Sequence, residues 1–228
     1  MLAALAFAAN ALSDHEQQHP THQRIYFGDD HQSYVTTKTP PQDDFYRYPL
    51  GVGGIAFYGM IIIVLLLIAR GTRKDETFAL QPPRSWPNAL ALTGAVLVVT
   101  YIAVVLLGLA LGPEGHPDQG LPTFWDGTRF PQFALSFIAI AVIAPVVEEL
   151  AFRGLGFSLL QPYGTRAAIG GTAVLFGLIH GYLIALPIFI LVGVALAWLR
   201  SRTDSVYPGM LMHGTFNATA VALTISFS

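Results

Sequence analysis

The sequence predicts an all-α fold: a polytopic membrane helical bundle of about six transmembrane helices. Three observations carry that expectation. Hydrophobic residues make up 53% of the 228 positions and charged residues only 11%, against about 25% charged in ordinary soluble domains. The apolar residues gather into six runs, several close to the roughly 20 residues that cross a hydrocarbon core. The bases concentrate in alternate loops, the pattern by which membrane proteins set their orientation. A net charge of −2 with no basic stripe leaves nothing to neutralise phosphates, so a nucleic-acid partner is not expected. The chain has no cysteine, which excludes disulfides, thiolate metal sites and a cysteine nucleophile.

Residues 1–49 read as an extramembrane arm with a short apolar start, and 50–228 as the helical domain. The start, 1–12, is too short and lacks the basic flank of a secretory signal. Residues 13–49 are polar and show neither helical nor strand period. Within them His15-Glu16-Gln17-Gln18-His19 matches the H-E-x-x-H zinc pattern, which works only on a helix. Pro20 follows at once and disfavours the helical conformation at His19, so the match reads as a solvated tail rather than a metal centre. The apolar runs are 50–69, 89–112, 133–160, 166–182, 184–199 and 206–227. The fourth is rich in Gly and Ala, which permits close helix packing, and a tight turn near Gly181 to Pro187 joins it to the fifth. Arg70, Arg73, Lys74 and Arg84 follow the first run, Arg166 the third, and Arg200 and Arg202 the fifth. The positive-inside rule then puts both termini outside and the basic loops in the cytoplasm.

The third run contains the stretch around which the chain is organised, Glu148-Glu149-Leu150-Ala151-Phe152-Arg153-Gly154. A charge at the centre of a membrane helix costs roughly 2.5–3.5 kcal/mol on insertion scales and by default marks a functional site. Of fourteen acids only Glu148 and Glu149 lie within an apolar run; of seven histidines, only His180 and His213; of twelve bases, only Arg153 lies well within one. Each needs polar partners in a low-dielectric setting, and the economical arrangement is one cavity shared by runs three, four and six. Glu149 and Arg153 are i,i+4 and share a face, as do Phe176 and His180, and His213 and Asn217.

Such a set can hydrolyse a peptide bond without a covalent intermediate. With Arg153 paired to Glu149, Glu148 is the less compensated carboxylate and suits a general base. His180 can share a water with it, and His213 and Asn217 can donate to the oxyanion formed when that water attacks a carbonyl. No G-x-S-x-G elbow is present. Each feature also has a bland reading: Glu149–Arg153 as a structural ion pair, each histidine as a helix contact, Asn217 as interhelical glue.

At these residues the sequence resembles the CAAX-protease and bacteriocin-processing family of intramembrane proteases, whose eukaryotic branch includes the type II prenyl-protein endopeptidase. Three motifs match in order over about 130–220: E-E-x-x-x-R at Glu148, Glu149 and Arg153; F-x-x-x-H at Phe176 and His180; H-x-x-x-N at His213 and Asn217. The resemblance implies an all-helical membrane protease. It implies Glu148 as the water-activating base with His180 assisting, His213 and Asn217 as oxyanion stabilisers, and Glu149 and Arg153 as supports. It leaves two mechanisms, a metal-free glutamate protease, preferred here with no cofactor, and a zinc enzyme using Glu and His as ligands. Arg153 and Asn217 suit charge balance and an oxyanion better than a closed coordination shell. The six expected spans are fewer than many relatives have, and the arm matches no pattern of the family.

The expected function is therefore an intramembrane endopeptidase acting on protein or peptide substrates at the lipid bilayer. It is placed in the cell membrane, plasma or inner, with the active site toward the cytoplasmic side. The alternatives are a catalytically silent scaffold or bacteriocin-immunity protein of the same fold, and a proton-coupled carrier, since buried Glu and His also form proton relays.

Overall fold

Six long helices follow the six apolar runs. The computed structural model describes residues 25–27, 33–35, 44–112, 121–122 and 124–226. The apolar start, the H-E-x-x-H match with His22 and His31, and loop residues 113–120 lie outside the described residues. Inside the arm, strands β1 (Ile25–Phe27) and β2 (Ser33–Val35) pair antiparallel with Tyr26 opposite Tyr34. The all-α class of the bundle is unaffected by this short pair, whose strands show no period in the sequence. Both strands hold aromatic and β-branched residues, but three positions are too few for an alternating period to register.

Helix α1 (Tyr48–Ile68) carries Pro49 in its first turn, where a missing N–H is harmless. A single helical turn, α2 (Lys74–Thr77), precedes α3 (Trp86–Leu111). Helix α3 begins before its apolar run because Ser85 caps it, accepting from the Asn88 N–H, with Pro87 in the first turn. Helix α4 is the long element Gly127–Tyr163. It is followed by α5 (Thr165–Ile179), α6 (Leu186–Thr203) and α7 (Tyr207–Ser226). Among the described residues, α1, α3, α4 and α6 are long and apolar enough to cross a membrane. The count of six spans therefore needs qualification. Helix α5 has 15 residues, about 22 Å at 1.5 Å per residue, short of a hydrocarbon core of about 30 Å. Helix α7 has the length, but His213, Asn217 and its threonines lower its hydropathy. The two helices that fall short contribute side chains to the site described below.

The outward faces of α1 and α3 carry Phe57, Ile63, Val99, Ile102 and Leu106, all more than half exposed. A bilayer, not the protein, covers such faces. One end of the bundle gathers the bases. There the Val206 N–H donates to the Ala79 carbonyl at 3.2 Å and Gln81 donates to the Asp204 carbonyl at 2.6 Å. These bonds join the linker carrying Arg70, Arg73, Lys74 and Arg84 to the α6–α7 turn beside Arg202. At the opposite end, the Tyr46 hydroxyl donates to the Phe124 carbonyl at 2.8 Å and the Ser136 hydroxyl to the Phe45 carbonyl at 2.8 Å. Phe45 and Tyr46 are buried against Phe133, so the last residues of the arm are fixed to the bundle. Thr128 and Arg129 hold the Asp126 carboxyl at about 2, well below the usual carboxylate range.

Close approach of helices is what apolar surroundings reward, since lipid leaves no hydrophobic drive between them. A Cβ on Gly193 of α6 would stand 2.8 Å from Cα and 3.0 Å from the carbonyl oxygen of Ala173 in α5. A Cβ on Gly154 of α4 would stand 3.0 Å from Cα of Phe78. Gly94 of α3 faces open space. Gly193→Ala is expected to lower the thermal midpoint in detergent, with a loss of about 1–3 kcal/mol from overpacking. Gly94→Ala should leave the midpoint unchanged or slightly higher. Fluorescence-monitored melts of the two purified variants make the comparison.

Candidate active site

Helix α4 is not a regular α-helix. Two π-helical segments, Ala139–Ile143 and Leu150–Gly156, interrupt it on either side of Glu148 and Glu149. Pro145 accounts for the first: without an N–H it cannot bond the carbonyl of Ala141, and its ring crowds that turn. Both segments have backbone carbonyls bonded by side chains of other helices. Asn217 Nδ2 of α7 donates to the Ile140 carbonyl at 3.0 Å. Arg200 Nε of α6 donates to the Arg153 carbonyl at 3.2 Å.

The two adjacent glutamates point to different places, as successive helix residues must, about 100° apart. Glu149 turns inward and is fully buried, as is Arg153 one turn on. Arg153 Nη1 donates to Glu149 Oε1 at 3.1 Å and Nη2 to the Gly193 carbonyl at 2.9 Å. The guanidinium also lies 4.5 Å over the Phe176 ring, a cation–π contact. His213 Nδ1 is 3.2 Å from the same Glu149 oxygen. The second oxygen, Glu149 Oε2, has no hydrogen-bond partner among the described residues. A Cβ on Gly209 of α7 would meet it at 2.7 Å, so only glycine leaves α7 room at that carboxylate.

Glu148 turns to a cavity of about 290 Å³ that it lines together with His180, His213 and Asn217. Its Oε1 accepts a hydrogen bond of 2.7 Å from the Tyr58 hydroxyl of α1. Its Oε2 stands 3.8 Å from His213 Nε2, too far for a direct hydrogen bond. His180 sits at the end of α5 with Nδ1 2.6 Å from the Phe176 carbonyl. A carbonyl only accepts, so Nδ1 carries the proton and Nε2 of the neutral ring is the acceptor. The ring stacks on Phe189 with centroids 4.1 Å apart. Termination of α5 at His180, its C-cap, puts Tyr182 on non-helical backbone lining the cavity, the setting in which irregular backbone is tolerated at membrane depth.

Thus Glu148, His180, His213 and Asn217 meet at one cavity, while Glu149 and Arg153 lie behind it. The expected walls, runs three, four and six, are incomplete. Leu50, Gly54 and Tyr58 of α1 and Phe189 and Val192 of α6 also line the space. Sequence reasoning missed Tyr58. Its signal was available: Gly51, Gly54 and Tyr58 follow the i, i+3, i+7 spacing of one helix face, in a helix otherwise dressed for lipid. Among the described residues, no group of three or more His, Asp or Glu side chains is arranged to hold a metal ion. Glu149 Oε1 is engaged by Arg153 and His213, which removes that oxygen from a zinc shell.

Arg153→Ala leaves Glu149 buried and uncompensated, and a loss of about 3–5 kcal/mol in stability is expected. Arg153→Met combined with Glu149→Gln removes both charges at similar volume and should melt well above the single variant. Thermal melts of the two variants in one detergent decide it; equal losses would show that the charge left behind is not what destabilises.

Comparison with known proteins matches one segment of the chain to a family model. Residues 130–219, spanning most of α4 through α7, match the family model described as Type II CAAX prenyl endopeptidase Rce1-like. Among curated proteins, the chain is 23% identical over 193 residues to YdiL of Bacillus subtilis (strain 168), described as a candidate membrane peptidase. That match covers 81% of this chain and 76% of the relative. It is 30% identical over 138 residues to an uncharacterized 24.3 kDa protein of Escherichia coli, covering 58% of this chain and 61% of that one. No solved structure matches the chain. The motifs at Glu148, Phe176 and His213 all fall inside the matched segment, which is similar to the type II CAAX prenyl endopeptidases, in a chain with four helices, among the described residues, long and apolar enough to cross a membrane.

Proposed function

We propose that the chain is an intramembrane endopeptidase that hydrolyses peptide bonds of membrane-associated substrates with a water activated at Glu148. One observation carries this reading. Four polar side chains from α4, α5 and α7 meet at a single, mostly apolar cavity, while the neighbouring Glu149–Arg153 pair is buried behind it. A structural ion pair explains Glu149 and Arg153. It does not explain why Glu148, His180, His213 and Asn217 all face the same open space.

In the proposed reaction Glu148 Oε2 takes a proton from a water whose second hydrogen is held by His180 Nε2. The hydroxide adds to the scissile carbonyl, giving a tetrahedral oxyanion. Asn217 has a second Nδ2 hydrogen beyond the one given to Ile140, and this hydrogen faces the oxyanion. His213 Nδ1 faces Glu149, so donation to the oxyanion from Nε2 requires the doubly protonated ring. Glu148 then returns the proton to the leaving amine as the C–N bond breaks. The pairing of Glu149 with Arg153, which supplies charge balance without a metal, supports the metal-free route.

Tyr182 and Phe189 add apolar walls to the cavity, which suits a substrate segment entering from the membrane. The gathering of bases at one end of the bundle supports a cytoplasmic placement for that end by the positive-inside rule. The cavity is lined by Leu50, Leu121 and Ser136, which lie toward the opposite end of the bundle, so the clustering of bases does not support entry from the cytoplasmic leaflet.

The test is cleavage of a quenched-fluorescent peptide library by the purified protein in nanodiscs. Glu148→Gln is expected to lower kcat by at least about 100-fold, the usual contribution of a general base, with the thermal midpoint little changed. Chelator should leave the wild-type rate unaltered. Equal cleavage by wild type and Glu148→Gln would remove the base from the mechanism, and loss of activity with chelator restored by zinc would overturn the metal-free route.

A further inference from the structure

We infer that Tyr58 of α1 is a positioning residue for the base: it binds one oxygen of Glu148 and so reserves the other for the reacting water. This rests on the reading of Glu148 as the water-activating group. It lies outside the segment that carries the family match, residues 130–219, and comes from a different helix.

Three observations support it. The Tyr58 hydroxyl donates to Glu148 Oε1 at 2.7 Å, a charge-assisted hydrogen bond when the carboxylate is ionised. Tyr58 stands at the middle of α1, not at a membrane interface where tyrosines usually gather. A phenol at that depth needs a partner, and Glu148 is the acceptor it has. The helix is also shaped for the contact. A Cβ on Gly51 would lie 2.7 Å from Cγ of Leu135, and one on Gly54 would lie 3.5 Å from Cβ of Ala139. Gly51 lets α1 lie close against α4, Gly54 faces Ala139 at ordinary contact distance, and Tyr58 is one turn beyond Gly54 on the same face.

The consequence is geometric. A free carboxylate on a two-torsion stem can turn either oxygen to a water. With Oε1 held by Tyr58 on the α1 side, Oε2 is the oxygen left on the α7 side, 3.8 Å from His213 Nε2. The oxyanion donors Asn217 and His213 also belong to α7. Tyr58 thus aims the basic lone pair toward the helix where the tetrahedral intermediate is stabilised. Fixing an attacking group in its reactive orientation removes rotational freedom before the chemical step.

Tyr58→Phe keeps the ring and its packing and removes only the donor. With the best-cleaved member of the peptide library in nanodiscs, kcat is expected to fall about 10- to 100-fold, the range for losing one hydrogen bond to a charged group. KM and the thermal midpoint should stay close to wild type. A second measurement does not depend on turnover. The infrared difference spectrum of Tyr58→Phe minus wild type should show a shifted carboxylate stretch that disappears in the Glu148→Gln background. An unchanged kcat would overturn the assignment while leaving the peptidase reading intact, as would a fall in rate that merely tracks a fall in thermal midpoint. If the wild type cleaves nothing, the peptidase reading fails, and the spectrum still decides Tyr58: absence of the Glu148-dependent band overturns the contact.

Discussion

The structure depends on one constraint, that Glu149 and Arg153 are both fully buried within apolar helices. Neither charge is tolerable there alone. Their pairing dictates what surrounds them. Arg153 needs a second acceptor, and the carbonyl of Gly193 supplies it. That residue can sit there only because its lack of a side chain lets α6 lie against Ala173 of α5. Glu149 needs a second donor, and His213 of α7 faces it. Helix α7 reaches that carboxylate because Gly209 has no Cβ to strike Oε2. Two glycines on two helices are thus explained by one ion pair on a third.

The same constraint bears on the backbone of α4. A π-helical segment leaves carbonyls without their usual helical partner, and in an apolar medium each must be bonded from elsewhere. Asn217 serves Ile140 and Arg200 serves Arg153. The helix is therefore braced from α6 and α7 at both interruptions, with the two glutamates between them. Asn217 takes part in both the bracing and the cavity, so its position is fixed by the fold before any substrate arrives. This is the kind of preorganisation that electrostatic stabilisation of an oxyanion requires.

Much of this was legible in the sequence, for a physical reason. Inside apolar runs a charge is expensive, so Glu148, Glu149, Arg153, His180 and His213 stand out without any alignment, and the i,i+4 spacing pairs Glu149 with Arg153 and His213 with Asn217. Tyr58 did not stand out because its hydroxyl carries no charge, so nothing marks it as the ionisable residues are marked. The glycine face that positions it shows only when Gly51 and Gly54 are counted on the same side of the helix. The π-helical segments were legible only in part. Pro145 warns of a break, but nothing in Leu150–Gly156 states that the helix widens there. The early end of α5 was hidden because the apolar run continues to Tyr182, whereas the helix stops at Ile179 and Gly181 turns with φ of +73°, a conformation glycine adopts freely.

Adjacent glutamates on one helix cannot share a role, because about 100° of rotation separates them. On α4 that rotation sends one side chain to the interior between α6 and α7 and the other to the cavity. The interior acid is neutralised by Arg153 and anchors the bundle. The cavity acid has no cationic partner within its own helix and is held instead by a neutral phenol. A phenol orients a carboxylate without cancelling its charge, whereas an arginine at the same place would make Glu148 a second structural pair. The distinction between the acid that anchors the bundle and the acid proposed as the base therefore follows from partner chemistry: guanidinium for Glu149, hydroxyl for Glu148.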